Sequence, residues 1–225
     1  MRTQGNWYEL LRRVARNPTA WAGGAVVAVA ALAVAGPRVA VEEPRNRVEL
    51  PDDLDAYLLA SESRFAGLTP GTEKVIRWAD ASERAVTPWS VVYLHGFSAS
   101  RQETAPLADS VAAHLGANLF YTRLTGHGLP GEALAIGRRL GERVLVVGTS
   151  TGGTLASWLA TDPDWAASIG AMVLISPNFG PRDPRSDMLL WPWGRQLARA
   201  VIGEWRSWDP VNERQEEFWL SLIHI

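Results

Sequence analysis

Residues Val144 to Thr154 read V-L-V-V-G-T-S-T-G-G-T, an apolar run that ends in Gly148-Thr149-Ser150-Thr151-Gly152. In such a pattern the serine sits at the tip of a sharp strand-to-helix elbow, with its hydroxyl pushed outward. Glycine at 148 and 152 suits the elbow, because a Cβ there collides where strand and helix approach closely. The next amide, Thr151 N–H, lies at a helix N-terminus, where it can stabilise a developing oxyanion. With Ser150 as nucleophile, the chemistry is acyl transfer to water. Five-residue patterns of this kind also arise by chance, so the flanks decide. Arg143–Val147 is a β-branched run that reads as a buried strand, and Leu155, Trp158 and Leu159 follow at helical spacing before Pro163.

The elements that must position Ser150 repeat this strand-loop-helix pattern. Ser90–Leu94 (S-V-V-Y-L) ends in His95-Gly96-Phe97-Ser98, where glycine lets the chain turn and bring a backbone amide beside a nucleophile. Ser100 and Glu103 have the spacing of a capping box, which predicts a helix from there to Leu115 with Leu107, Val111 and Leu115 as its apolar stripe. Asn118–Leu124 leads into Thr125-Gly126-His127-Gly128, and Ala171–Ile175 leads into Ser176-Pro177-Asn178. Lys74–Ala79 alternates and starts the sheet. Continuously apolar strands alternating with helices predict an α/β fold, a mostly parallel sheet with helices on both faces and its site at the strands' carboxyl ends.

These motifs resemble the α/β-hydrolase family over residues 71–219, most closely its carboxylesterases and monoacylglycerol-lipase or lysophospholipase-like members. Leu94-His95-Gly96-Phe97 is similar to the family's oxyanion loop, Gly126-His127-Gly128 to the loop after the next strand, and Gly148–Gly152 to the elbow. The resemblance implies a serine hydrolase of carboxylic, including lipid, esters. It implies Ser150 as nucleophile and the Phe97 and Thr151 backbone N–H groups as the oxyanion hole, with His95, Gly96, Gly148 and Gly152 as support.

The chain departs from that pattern in two places. In the family an acid and then a histidine follow the nucleophile. Asp183, Asp187 and Asp209 fall in a stretch that reads as cap rather than strand ends. The only histidine after Ser150 is His224, within an abruptly apolar end, Leu220–Ile225, that resembles translated adaptor sequence; His224 is not nominated. The expectation is a truncated product lacking the acid and histidine, inactive as written, with Ala171–Ile175 left as an open, aggregation-prone edge. The alternative is a non-catalytic, degenerate hydrolase fold. The second departure is the short passage Leu129-Pro130-Gly131 before the helix expected over 132–140, which predicts thin cover on that side of the sheet.

His95 and His127 are expected to prop their loops, and His114 to lie half-exposed on its helix. With no cysteine there is no disulfide or thiolate chemistry, and nothing spaces His, Asp and Glu as metal ligands. No cofactor is implied. No basic patch suggests nucleic acid as a partner, and a net charge of −2 says nothing about partners.

Ala20–Gly36 carries no charge, and Arg2, Arg12, Arg13 and Arg16 precede it. The segment 19–36 is therefore expected to be a transmembrane anchor, with residues 1–18 as a cytoplasmic basic arm and the catalytic domain outside. The alternative is export after signal cleavage, since Ala33-Val34-Ala35 suits a cleavage site. Residues 37–70, rich in proline and charge, read as a linker with a short helix near 54–65, and 71–180 as the core. From 181 to 219 a cap begins, with Trp191, Trp193, Trp205 and Trp208 among Met188, Leu189, Leu190, Leu197, Val201 and Ile202. Trp191 and Trp193 either line an acyl pocket or pack the cap itself. Residues 220–225 read as a non-native tail.

Overall fold

The computed structural model describes residues 12, 16–38, 48–65, 68–124, 130–180, 182–203, 205–207, 210–218 and 222–224. In chain order the elements are α1 (Pro18–Ala35), α2 (Leu54–Glu62), β1 (Val75–Arg77), β2 (Thr87–Leu94), α3 (Leu107–Leu115), β3 (Asn118–Tyr121), α4 (Pro130–Leu140), β4 (Gly141–Thr149), α5 (Thr151–Leu159), α6 (Pro163–Ala166), β5 (Ile169–Ile175), α7 (Gly194–Ile202), β6 (Trp205–Ser207), α8 (Glu213–Phe218) and β7 (Leu222–His224). The chain divides into two units, one of residues 1–41, 183–205 and 225, the other of 42–182 and 206–224.

The larger unit holds a five-stranded sheet in the order β1-β3-β2-β4-β5. Only β1 is antiparallel; β3, β2, β4 and β5 run parallel, with Tyr93 opposite Val147 and Leu94 opposite Gly148. Successive residues of a strand point to opposite faces, and β2 shows the result. Val92 and Leu94 face Leu134, Ile136, Leu140 and Leu159 of α4 and α5. Val91 and Tyr93 face the other way, onto Ala108 and Ala112 of α3. Both faces are covered, which is why the strand is apolar throughout.

At three places the sequence expectation gives way. The helix expected from Ser100 begins only at Leu107, behind Pro106, whose ring and missing N–H suit a helix start and not an interior. Before it, Arg101–Glu103 form a single 3₁₀ turn in which Ser100 Oγ accepts the Gln102 N–H. The face of α3 that packs is Ala108 and Ala112, and Leu107 and Leu115 lie outward, because the small side chains allow the helix close to the sheet. The side of the sheet under α4 is well covered: the helix starts at Pro130 and buries Ala133, Leu134, Ile136 and Leu140. The short helix expected near 54–65 is found as α2, capped by Asp53 and with Leu54 and Leu58 in the core.

β5 is the edge strand of this order, and its Met172, Val173 and Leu174 are 38%, 45% and 36% exposed. Its apolar run reads like the buried strands, but its outer side meets no other described strand.

In the smaller unit, the uncharged segment expected as a membrane span is the 18-residue helix α1, exposed along its described length. At 1.5 Å per residue it is about 27 Å long. Among the described residues no helix is long and apolar enough to cross a membrane, so the transmembrane anchor expected over 19–36 is not supported. The Trp193 indole N–H donates to the Leu32 carbonyl near the end of α1 at 2.8 Å. In the larger unit, Leu222–His224, within the segment expected to be a tail, form β7 of a two-stranded sheet with β6.

Burial of Leu58 places α2 within the folded domain. Leu58→Ala is therefore expected to destabilise the larger unit by about 2–4 kcal/mol in denaturant titration. A change below about 0.5 kcal/mol would return residues 54–62 to the status of a linker.

Candidate active site

Ser150 lies between the last residue of β4 and the first of α5, with φ 50° and ψ −115°. That left-handed φ costs a residue with a Cβ about 1–2 kcal/mol, so the surroundings must hold it. The Ser150 N–H donates to the Ile175 carbonyl at the end of β5 (2.9 Å). The Ser150 carbonyl accepts from Thr154 N–H and Asn178 N–H, each at 3.1 Å. Two glycines make the turn sterically feasible. A Cβ on Gly152 would overlap the Leu94 carbonyl, and one on Gly148 would stand 2.7 Å from the Gly152 carbonyl oxygen.

The loop after β2 lies against this elbow. A Cβ on Gly96 would stand at contact distance from Ser150 Cβ (3.4 Å) and close to Glu103 Oε2 (3.0 Å), which shows how near the loop lies to the elbow. Two adjacent peptide planes of the loop are fixed by side chains. The Gly96 N–H donates to Glu103 Oε1 at 2.6 Å. The Gly96 carbonyl lies 2.7 Å from His95 Nδ1, while His95 Nε2 accepts the Leu124 N–H at 2.8 Å. An acceptor at Nε2 means the ring proton is on Nδ1, donated to Gly96. Gly96 C=O and Phe97 N–H are opposite ends of one trans peptide, so holding the carbonyl aims the N–H the other way. Among the described residues neither Phe97 N–H nor Thr151 N–H has a hydrogen-bond partner. The arrangement thus offers a strained serine and two unused amides, the requirements for holding a tetrahedral oxyanion.

His95 is buried, which pushes its pKa below the usual histidine value, and Arg123 adds to the effect. With both nitrogens bonded to backbone it is a loop support. His114 is exposed on α3. Gly126, His127 and Gly128 lie outside the described residues, as do Trp208 and Asp209. His224 falls in β7. Among the described residues the Ser150 hydroxyl makes no hydrogen bond to a histidine or a carboxylate. Trp191 and Trp193 belong to the smaller unit and are 61% and 39% exposed. A cleft of about 1050 Å³ is lined by Leu50, Arg138, Arg139, Trp158, Asp162 and Trp165 among others, and includes no residue of the elbow or the oxyanion loop.

Glu103 is the residue that sequence reasoning misplaced. The Ser-x-x-Glu spacing assigns its carboxylate to a helix N-terminus, whereas the carboxylate turns back to the Gly96 N–H and the Tyr93 hydroxyl. Pro106, so soon after the motif, was the available signal against a helix at 101.

No family model matches the chain, and no curated protein does. Solved structures do match. One, described with LipS and LipT, two metagenome-derived lipolytic enzymes, is 18% identical, with 70% of this chain and 65% of that chain covered and a TM-score of 0.53. An α/β hydrolase from Novosphingobium aromaticivorans is 22% identical over 61% of this chain and 47% of that one, with a TM-score of 0.38. The chain spans 65% of the length of the first of these structures. The likeness establishes the fold: this chain has the α/β-hydrolase fold, with a mostly parallel mixed sheet and helices on both faces.

Burial raises the Glu103 pKa above the ordinary value of 4.5, against the opposing pull of the Gly96 N–H and Tyr93 hydroxyl. The folded state therefore keeps this proton to higher pH than the unfolded state does. Stability from this group is full below about pH 4.5 and falls as pH climbs through the raised value. Melting curves at stepped pH should show the unaltered protein losing ground to Glu103→Gln over that window. Parallel curves for the two would contradict the assignment.

Proposed function

We propose that this protein is a serine hydrolase of carboxylic esters that works through an acyl-enzyme on Ser150. The observation that carries the reading is Ser150 at φ 50°, set beside a loop held by His95 and Glu103, with the Phe97 and Thr151 amides without a hydrogen-bond partner among the described residues. In the reaction, Ser150 Oγ attacks the ester carbonyl carbon, and the two N–H groups receive the charge that collects on its oxygen. The carbon–oxygen bond to the alcohol then breaks, the alcohol leaves with a proton, and water cleaves the acyl-serine to regenerate the hydroxyl. The lipolytic description of the structural neighbour supports an ester substrate.

Among the described residues Ser150 has no hydrogen-bonded proton acceptor. His95 is committed to its loop, and His114 is exposed on α3. We propose that these residues supply the nucleophile and the oxyanion site, and that ester turnover by this chain alone is slow. Oxyanion binding without a working triad retains only about 10³–10⁴-fold over water. The absence of a hydrogen bond from Ser150 to a base among the described residues favours a second reading, a non-catalytic hydrolase fold.

Fluorophosphonate labelling followed by peptide mapping separates the two. A single adduct on Ser150, reduced at least about 100-fold in Ser150→Ala, is expected of a nucleophile. Equal labelling of the alanine variant would remove Ser150 from the chemistry.

A further inference from the structure

Leu94 opposite Gly148 is the last cross-strand pair of β2 and β4. Past it the two loops leave the ladder, one carrying Phe97 and the other Ser150 and Thr151. An oxyanion site built from both needs something to fix their separation, and side chains provide it. Glu103 Oε1 accepts the Gly96 N–H at 2.6 Å and the Tyr93 O–H at 2.9 Å. Tyr93 Oη lies 3.0 Å from Thr149 Oγ1, on the residue immediately before the nucleophile, and accepts from Thr104 Oγ1 at 2.8 Å.

The direction of these bonds follows from proton counting. A phenol has one proton and two lone pairs. The proton goes to Glu103 Oε1, so Thr104 and Thr149 both donate to Tyr93, and the phenol is saturated. Oε1 receives two hydrogens, so it remains the acceptor in either protonation state of Glu103, any added proton residing on Oε2. The chain of bonds then runs one way, from Thr149 through Tyr93 to Glu103, which also receives Gly96.

We propose that Glu103 is a positioning residue that, through Tyr93 and Thr149, sets the Phe97 amide at a fixed distance from the nucleophile elbow. This rests on the serine-hydrolase reading of Ser150. Glu103 touches no reacting atom in this account. It acts on the peptide plane next to the one that carries Phe97 N–H, while His95 holds the plane of Phe97 itself. The two side chains together leave the loop no freedom to turn that N–H away.

Two readouts on the full chain test the proposal, one independent of reactivity. In Glu103→Ala, phosphonylation of Ser150 should slow by about 10- to 100-fold, approaching the loss of an oxyanion donor. Amide exchange at Gly96 should accelerate at least about tenfold, while Val91 and Val92 within β2 keep their rates. Glu103→Gln retains an oxygen acceptor and should restore most of both. Thr149→Val, which deletes only the far link, should slow labelling with Gly96 exchange little changed. Unchanged labelling and exchange in Glu103→Ala would overturn the brace. Faster exchange throughout β2 in Glu103→Gln would also overturn it, by showing a packing role. Failure of the unaltered protein to label at Ser150 would count against the serine-hydrolase reading, and Gly96 exchange would then decide the brace by itself.

Discussion

The first turn of α5 lies directly against the carbonyl groups of Leu94 and His95, an approach that leaves no space for a side chain at position 152. That contact fixes how far the elbow can open, and hence the left-handed backbone of Ser150. Everything at the site depends on it. Were the helix a fraction of an ångström farther from β2, Ser150 could relax, and its carbonyl and N–H would lose the bonds to Asn178, Thr154 and Ile175. The strain is local, of the order of 1–3 kcal/mol. The buried parallel sheet around it, with Val91–Leu94 and Val144–Val147 almost wholly out of solvent, is what makes the strain tolerable.

The loop after β2 needs separate support. A parallel ladder can hold backbone only as far as its last pair, and both amides at the site lie beyond that pair. His95, buried, and Glu103, half-buried, take over there, each hydrogen-bonded to loop backbone. Burying a carboxylate and an imidazole is unfavourable in itself, and their pKa values shift towards the neutral forms accordingly. The bonds to Gly96, Leu124 and Tyr93 offset that cost.

Much of this was legible in the sequence. Val144–Thr154 gave both the strand and the elbow because the glycine spacing and the β-branched run reflect steric demands of the backbone itself. The strands expected over 90–94, 118–124 and 171–175 lie at 87–94, 118–121 and 169–175; burial on both faces explains the first two, whereas β5 is equally apolar but exposed. What could not be read was anything set by tertiary packing. Glu103 matched a local capping rule, yet a buried loop amide competed successfully for its carboxylate. Leu107 and Leu115 looked like a core stripe, yet the neighbouring alanines allow a closer helix-to-sheet approach. The short helix near 54–65 was expected, but composition carries no information on which of its residues dock, and these are Leu54 and Leu58. The uncharged run at 20–36 suggested a span, yet no described helix is long and apolar enough to be one.

The central claim is that Ser150 and the amides of Phe97 and Thr151 converge on one oxygen. A crystal structure of the Ser150 phosphonate adduct tests it most directly, because the phosphoryl oxygen stands where the oxyanion would. The account predicts that oxygen within about 2.7–3.1 Å of both nitrogens, with the Glu103–Gly96 bond retained. An adduct whose phosphoryl oxygen points to solvent, or that reaches only one of the two amides, would contradict it.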